Sequence, residues 1–205
     1  MKKTILILSA LTSFSLAGKN VGIPTSEIIA IEEPINISYY IGIGLSGFYL
    51  KNDLSKEEFK SYAGLVLGGI NLNKYVSIEG RYYKSFGDME YYKGNTGNIN
   101  YDDFPGTFSD YSAFLKLKAP YKSFEPYLLV GYGEVNFDSL PYLSGRSERS
   151  EAGFQYGLGA SYNFTNNIST FIDYTKLYDG KGFDGRALNA DVSIDTFNIG
   201  FSYKF

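Results

Sequence analysis

Histidine, cysteine and tryptophan are absent from this 205-residue sequence, and proline occurs only 6 times. The first two absences exclude His-dependent triads, His–metal sites, thiol nucleophiles, zinc ribbons, iron–sulfur clusters, disulfides and lipid attachment at cysteine. Basic charge is also short: 19 Lys and Arg stand against 22 Asp and Glu, a net charge of −3. No nucleic-acid partner is expected from such a balance. Mean hydropathy is −0.16, which leaves no surplus of apolar residues for membrane helices. What the chain has instead is 20 Tyr, 16 Phe and 23 Gly.

The first residues read as a targeting segment. Lys2 and Lys3 precede an apolar stretch, Ile5 to Leu16, and Ser15-Leu16-Ala17 places small residues before a cleavage point. This is the pattern of a secretory signal peptide over residues 1–17, the apolar stretch being too short for a spanning helix. Residues 18–36 hold Pro24, Pro34 and three Glu with no clean period, and read as a periplasmic tail.

From residue 37 onward the recurring signal is alternation with period two, the mark of strands with two different faces. In 152–164 the even positions (Ala152, Phe154, Tyr156, Leu158, Ala160, Tyr162, Phe164) are apolar or aromatic and the odd ones small or polar. The ending repeats it, with Phe197, Ile199, Phe201, Tyr203 and Phe205 alternating with Thr196, Asn198, Gly200, Ser202 and Lys204. Similar patterns occupy 37–50, 74–83, 111–119 and 168–178. Two further runs, 61–72 and 127–137, are apolar on both faces; in the second, Gly131 and Gly133 are expected inward. These make eight strands. The links between them alternate long and short: 51–60, 73–74, 87–107, 120–126, 138–150, 165–167 and 179–191. Such alternation is expected when every second link lies on one side of a barrier, as in bacterial transmembrane barrels with short periplasmic turns and long outer loops.

Alternation also suits a soluble sandwich or a lipocalin-like barrel with its apolar face inside. Three features favour the membrane reading. The polar face is rich in Gly, Ser, Thr and Asn, as a narrow eight-stranded lumen requires, where a water-facing exterior would carry Lys and Glu. Tyr39, Tyr49, Tyr82, Tyr162, Tyr174 and Tyr203 fall near strand ends, where amphipathic rings suit a membrane–water boundary. The last strand closes on an aromatic residue in the apolar phase. The expected fold is therefore all-β: an eight-stranded antiparallel up-and-down transmembrane barrel over residues 37–205.

The segments NKYVSIEGRYY (73–83), FEPYLLVGYGE (124–134), AGFQYGLGASYNFTNNISTFIDYT (152–175) and FNIGFSYKF (197–205) resemble the eight-stranded outer-membrane barrel superfamily. That group includes the OmpA transmembrane domain, OmpX-like proteins and opacity-type surface proteins. The resemblance implies a location in the bacterial outer membrane, in contact with its lipid and lipopolysaccharide. It also implies recognition of Phe201, Tyr203 and Phe205 by the barrel-assembly machinery. No peptidoglycan-binding domain follows Phe205, so a cell-wall tether is not expected.

The candidate site residues are the inward charges Glu79, Arg81, Lys116 and Asp173. In so narrow a lumen they must pair, because an isolated buried ion is costly; Glu79 is expected to meet Arg81 or Lys116. In the long links, Tyr91, Tyr92, Phe104, Tyr142 and Phe183 are candidate contacts to a host or matrix ligand. DGKGFDG (179–185) is a poor calcium loop, with Lys181 where a ligand oxygen is needed and Ala190 at the closing position. No metal, cofactor or catalytic residue is expected. The lipid A deacylase, palmitoyltransferase and larger protease barrels depend on His-containing sites. The functional expectation is a structural or surface-interaction role, with a narrow channel or conduit as the alternative.

Overall fold

The computed structural model describes residues 37–52, 57–86, 89–93, 99–104, 106–137, 149–181 and 191–205. The expected signal peptide and tail, residues 1–36, lie outside the described residues. The strands in chain order are β1 (Ser38–Asn52), β2 (Glu57–Asn71), β3 (Val76–Ser85), β4 (Met89–Lys93), β5 (Ile99–Phe104), β6 (Phe108–Lys118), β7 (Phe124–Phe137), β8 (Arg149–Asn163), β9 (Ile168–Lys181) and β10 (Asp191–Lys204). Every pairing is antiparallel. β1 pairs with β2 on one side, Ser38↔Asn71 through Asn52↔Glu57, and with β10 on the other, Tyr40↔Lys204 through Asn52↔Val192. That double pairing closes β1, β2, β3, β6, β7, β8, β9 and β10 into an eight-stranded barrel, which leaves no free edge.

Two features differ from the sequence reading. The link at 87–107 contains a hairpin, β4–β5, whose first strand pairs with the start of β2, Glu57↔Lys93 through Lys60↔Glu90. The link at 51–60 is mostly strand, with only 53–56 between β1 and β2. Its charges suggested a loop. Lys51, Glu58 and Lys60 instead alternate with Leu50 and Phe59, which are buried at 6% and 5% exposure, so this stretch is a continuing wall with charges outside.

The short turns are held by their own side chains. Asn73 Oδ1 accepts from the backbone N–H of Tyr75 and Val76 at 2.7 and 2.8 Å, an Asx turn that reverses the chain between β2 and β3. Thr165 Oγ1 does the same for Asn167 and Ile168 between β8 and β9. Between β6 and β7, Tyr121 and Phe124 pair across Lys122 and Ser123, with Lys122 in the left-handed region at φ 56°.

The large apolar side chains face outward. Phe154, Leu158 and Phe201 are 60–61% exposed, the reverse of a soluble barrel. β2, whose faces the sequence left open, sets Tyr62, Val66 and Ile70 outside and Ser61, Ala63, Leu65 and Leu67 inside. β7 turns Leu128, Val130 and Tyr132 outward.

Toward the long-link end charges enter the outer apolar face. On six strands an outward aromatic has a charge two positions further toward the long-link end: Tyr49 and Lys51, Tyr62 and Lys60, Tyr82 and Lys84, Tyr132 and Glu134, Tyr174 and Lys176, Phe197 and Asp195. Around this ring the interior changes in the opposite sense. Phe48, Phe108 and Phe137 fill the bore, with Phe48 and Phe108 stacked at 4.1 Å and Phe137 at 5.9 and 5.7 Å from them. Leu50, Phe59, Val135, Leu177, Val192 and Ile194 complete this plug. One wall thus has an apolar outside and an ion-paired inside, interspersed with Leu65, Leu67, Phe114 and Leu129, below the ring, and charges outside with an apolar inside above it. The first arrangement suits hydrocarbon and the second suits water.

Candidate functional site

The lumen gathers side chains from six strands. Period two sends Glu79 and Arg81 of β3 inward, Lys116 of β6 beside them and Asp173 of β9 across the bore. All four meet in one network. Arg81 donates from Nε to Glu79 Oε1 at 2.7 Å, and from Nη1 and Nη2 to Asp173 Oδ1 and Oδ2, both at 2.9 Å. Lys116 Nζ donates to Glu79 Oε2 at 3.1 Å. Glu79 therefore holds both of its candidate partners at once. The side chains of Glu79, Arg81 and Asp173 are completely shielded, where an unpaired ion would carry a large desolvation cost.

Neutral groups complete the shell. Tyr40 OH donates to Glu79 Oε2 at 2.6 Å, Tyr127 OH to Asp173 Oδ2 at 2.7 Å, and Asn198 Nδ2 to Asp173 Oδ1 at 2.7 Å. The Lys116 ammonium lies 4.0 Å from the centre of the Tyr127 ring, and the Arg81 guanidinium 5.6 Å from that of Phe114. The site is a charge-neutral cross-brace of two cations and two anions, tying β1, β3, β6, β7, β9 and β10 together across the lumen.

A second polar pair escaped the sequence reading. Asp110, fully buried on β6, accepts from Gln155 Nε2 at 2.7 Å and from Ser112 Oγ at 3.1 Å, and Gln155 Oε1 has no partner. The signal was available: carrying the alternation of 111–119 one residue back puts Asp110 inward with Ser112. Among the described residues no group of three or more Asp or Glu side chains could hold a metal ion.

Toward the short turns the lumen widens into a polar cavity of about 760 Å³, floored by Tyr40 and Lys116 and rimmed by the turns at Asn73, Lys122 and Asn166. At the same end Phe201, Tyr203 and Phe205 project outward from β10 at 60, 45 and 66% exposure. Tyr91 and Tyr92 lie on β4 and Phe104 ends β5, so these candidates belong to the hairpin; Tyr142 and Phe183 lie outside the described residues.

A family model for the outer membrane protein beta-barrel domain matches residues 35–205. No curated protein matches the chain. Among solved structures, Neisserial surface protein A is similar with a TM-score of 0.59 at 15% identity, over 83% of this chain and 99% of that one. The attachment invasion locus protein Ail of Yersinia pestis gives 0.53 at 19% identity, over 82% and 98%. OprG from Pseudomonas aeruginosa gives 0.53 at 13% identity, over 82% and 95%. At these identities the likeness is one of fold. Closed wall, outward apolar face and matched domain agree: the chain belongs to the outer membrane protein beta-barrel domain family and resides in the bacterial outer membrane.

Proposed function

We propose that this protein is a non-enzymatic structural and surface-interaction component of the outer membrane. Its barrel holds the long-link segments outside the cell as a contact surface for a host or matrix ligand. The observation that supports this reading is a lumen blocked at two levels, by the Glu79–Arg81–Lys116–Asp173 brace and by the Phe48–Phe108–Phe137 plug. A blocked bore suits a rigid pedestal, and β1, β2, β4 and β5 extend that pedestal beyond the charged ring. The surrounding partners on this reading are lipid and lipopolysaccharide at the outer wall. The barrel-assembly machinery would read Phe201, Tyr203 and Phe205.

The test has two arms. Replacing 138–148 and 182–190 by short turns should abolish attachment of expressing cells to host or matrix surfaces while the barrel keeps its heat-modifiable gel migration. In planar bilayers the folded protein should pass no current above background. Stable unitary conductance with attachment unaffected by the deletions would replace this reading with the channel alternative.

A further inference from the structure

Between the brace and the Phe48–Phe108–Phe137 plug, the lumen holds a negative charge that nothing beside it cancels. In the brace itself Arg81 is shared by Glu79 and Asp173, and Lys116 is bonded to Glu79, so two cations meet two anions. Asp110 stands one level nearer the plug, paired with Tyr83 of β3. It is fully buried, and its two hydrogen bonds come from neutral donors, Gln155 Nε2 at 2.7 Å and Ser112 Oγ at 3.1 Å. Among the described residues the positive group within its electrostatic reach is Arg81, already held by the two carboxylates of the brace. The five ionic side chains therefore sum to one negative charge, in a space where an uncompensated ion is costly.

A second observation falls on the same spot. Gln155, also fully buried, commits its amide nitrogen to Asp110, and the Oε1 of that same amide is the buried side-chain atom among the described residues with no hydrogen-bond partner. We infer that this level of the lumen binds one small monovalent cation of the alkali class, held by the Asp110 carboxylate and the Gln155 carbonyl oxygen with the Ser112 hydroxyl beside them. A proton on Asp110 would cancel the charge and leave Gln155 Oε1 bare. A water molecule would serve that oxygen and leave the charge. A bound cation answers both. The donors are all oxygens, the set that hard cations take, and a lone carboxylate matches one unit of charge where a calcium site would gather several. The glycines of the wall make the room. Gly133, paired with Ser112, lets Gln155 reach across: a Cβ there would fall 2.5 Å from Gln155 Nε2 and 2.6 Å from Ser112 Cβ. At Gly153, the next lumen-side position on β8, a Cβ would meet nothing nearer than Tyr178 Cδ2 at 3.9 Å, so space remains next to Gln155. The site is independent of the surface role proposed for the long-link segments.

The experiment uses the full barrel in nanodiscs of zwitterionic lipid at neutral pH, with N-methylglucamine chloride replaced stepwise by sodium or potassium chloride at constant ionic strength. The expected result is saturable movement of the Gln155 side-chain amide and Asp110 carboxyl resonances, with Glu79 and Asp173 unmoved. The urea midpoint should rise over the same concentrations, because a ligand of the folded state stabilises it. Asp110→Asn keeps the shape and removes the charge, so it should fold and lose both responses. Gln155→Met should weaken the affinity about tenfold or more while leaving a single site. If Asp110→Asn does not fold, the affinity of Gln155→Met decides: a value equal to that of the wild type overturns the assignment. So do an Asp110 carboxyl resonance at the position of a protonated acid in sodium, equal spectra and midpoints in N-methylglucamine and alkali salts, shifts confined to the outer ring at Glu134 and Asp195, or responses that survive in Asp110→Asn.

Discussion

Arg81 and Asp173, 92 residues apart in sequence, face each other across the bore through two parallel hydrogen bonds of 2.9 Å. The paired geometry belongs to a guanidinium opposite a carboxylate and is closed to lysine. Replacing Arg81 by Met strands Asp173 and half-strips Glu79 in a dry space, at a cost of about 3–5 kcal/mol. Urea unfolding in lipid vesicles measures it. Arg81→Lys should fall between the two, and a wild-type midpoint in the Met variant would show that the brace carries no stability.

The Phe48–Phe108–Phe137 plug makes a separate prediction. Phe108 is fully buried and stacked on Phe48, so Phe108→Ala should cost about 3–5 kcal/mol. Amide exchange in β1, β7 and β10 above the ring should accelerate, while protection near Glu79 is kept. Faster exchange along the whole length would mean the plug and the brace are one cooperative unit.

On the lipid face the cost of charge depends on depth. Leu158→Arg, on the outward side of β8 within the apolar band between the ring and the short turns, should reduce insertion by about 2–4 kcal/mol. Ser150→Arg, exposed on the same strand above the ring, should be near neutral. Equal yields of the two variants in the outer membrane would place the bilayer elsewhere along the wall.

Two glycines in strands should respond oppositely to the same change. A Cβ at Gly131 would run into the carbonyl oxygen of Ala113 and sit 2.9 Å from Cα of Phe114, so Gly131→Val should block folding. At Gly80 the nearest atoms are carbonyl oxygens 3.9 Å away, and Gly80→Val should give normal heat-modifiable migration.

Removal of Phe205 takes away an outward ring packed edge-on against Tyr203 at 5.2 Å. If the assembly machinery reads this end of β10, pulse-chase labelling should reveal slower conversion to the folded form and accumulated periplasmic precursor.

The eight barrel strands and most of their facing were legible because hydrocarbon outside and a packed polar bore inside impose opposite residues on alternate positions. That contrast fails where the bore itself becomes apolar. Ala63, Leu65 and Leu67 line the lumen side of β2, so both faces looked alike. It fails again at Lys51, Glu58 and Lys60, where the wall has left the membrane and charged side chains stand outside a buried Leu50 and Phe59. The β4–β5 hairpin had a weaker signature, the glycine-bearing KGNTGN between two tyrosine-containing runs. Glu79, Arg81, Lys116 and Asp173 were visible as inward charges. Tyr40, Tyr127 and Asn198 were not, since a hydroxyl or amide on the lumen side is unremarkable until the ion it serves is known.

The exchange of polarity at the ring makes the distal part of the wall a stilt. β1 runs three residues past Tyr49, and β2 begins five residues before Tyr62. At about 3.3 Å of rise per residue, that carries the two strands roughly 10 and 16 Å past the ring. A stilt with its own core lets the tips diverge in sequence, or accept an inserted epitope, with no rewriting of the part that touches lipid.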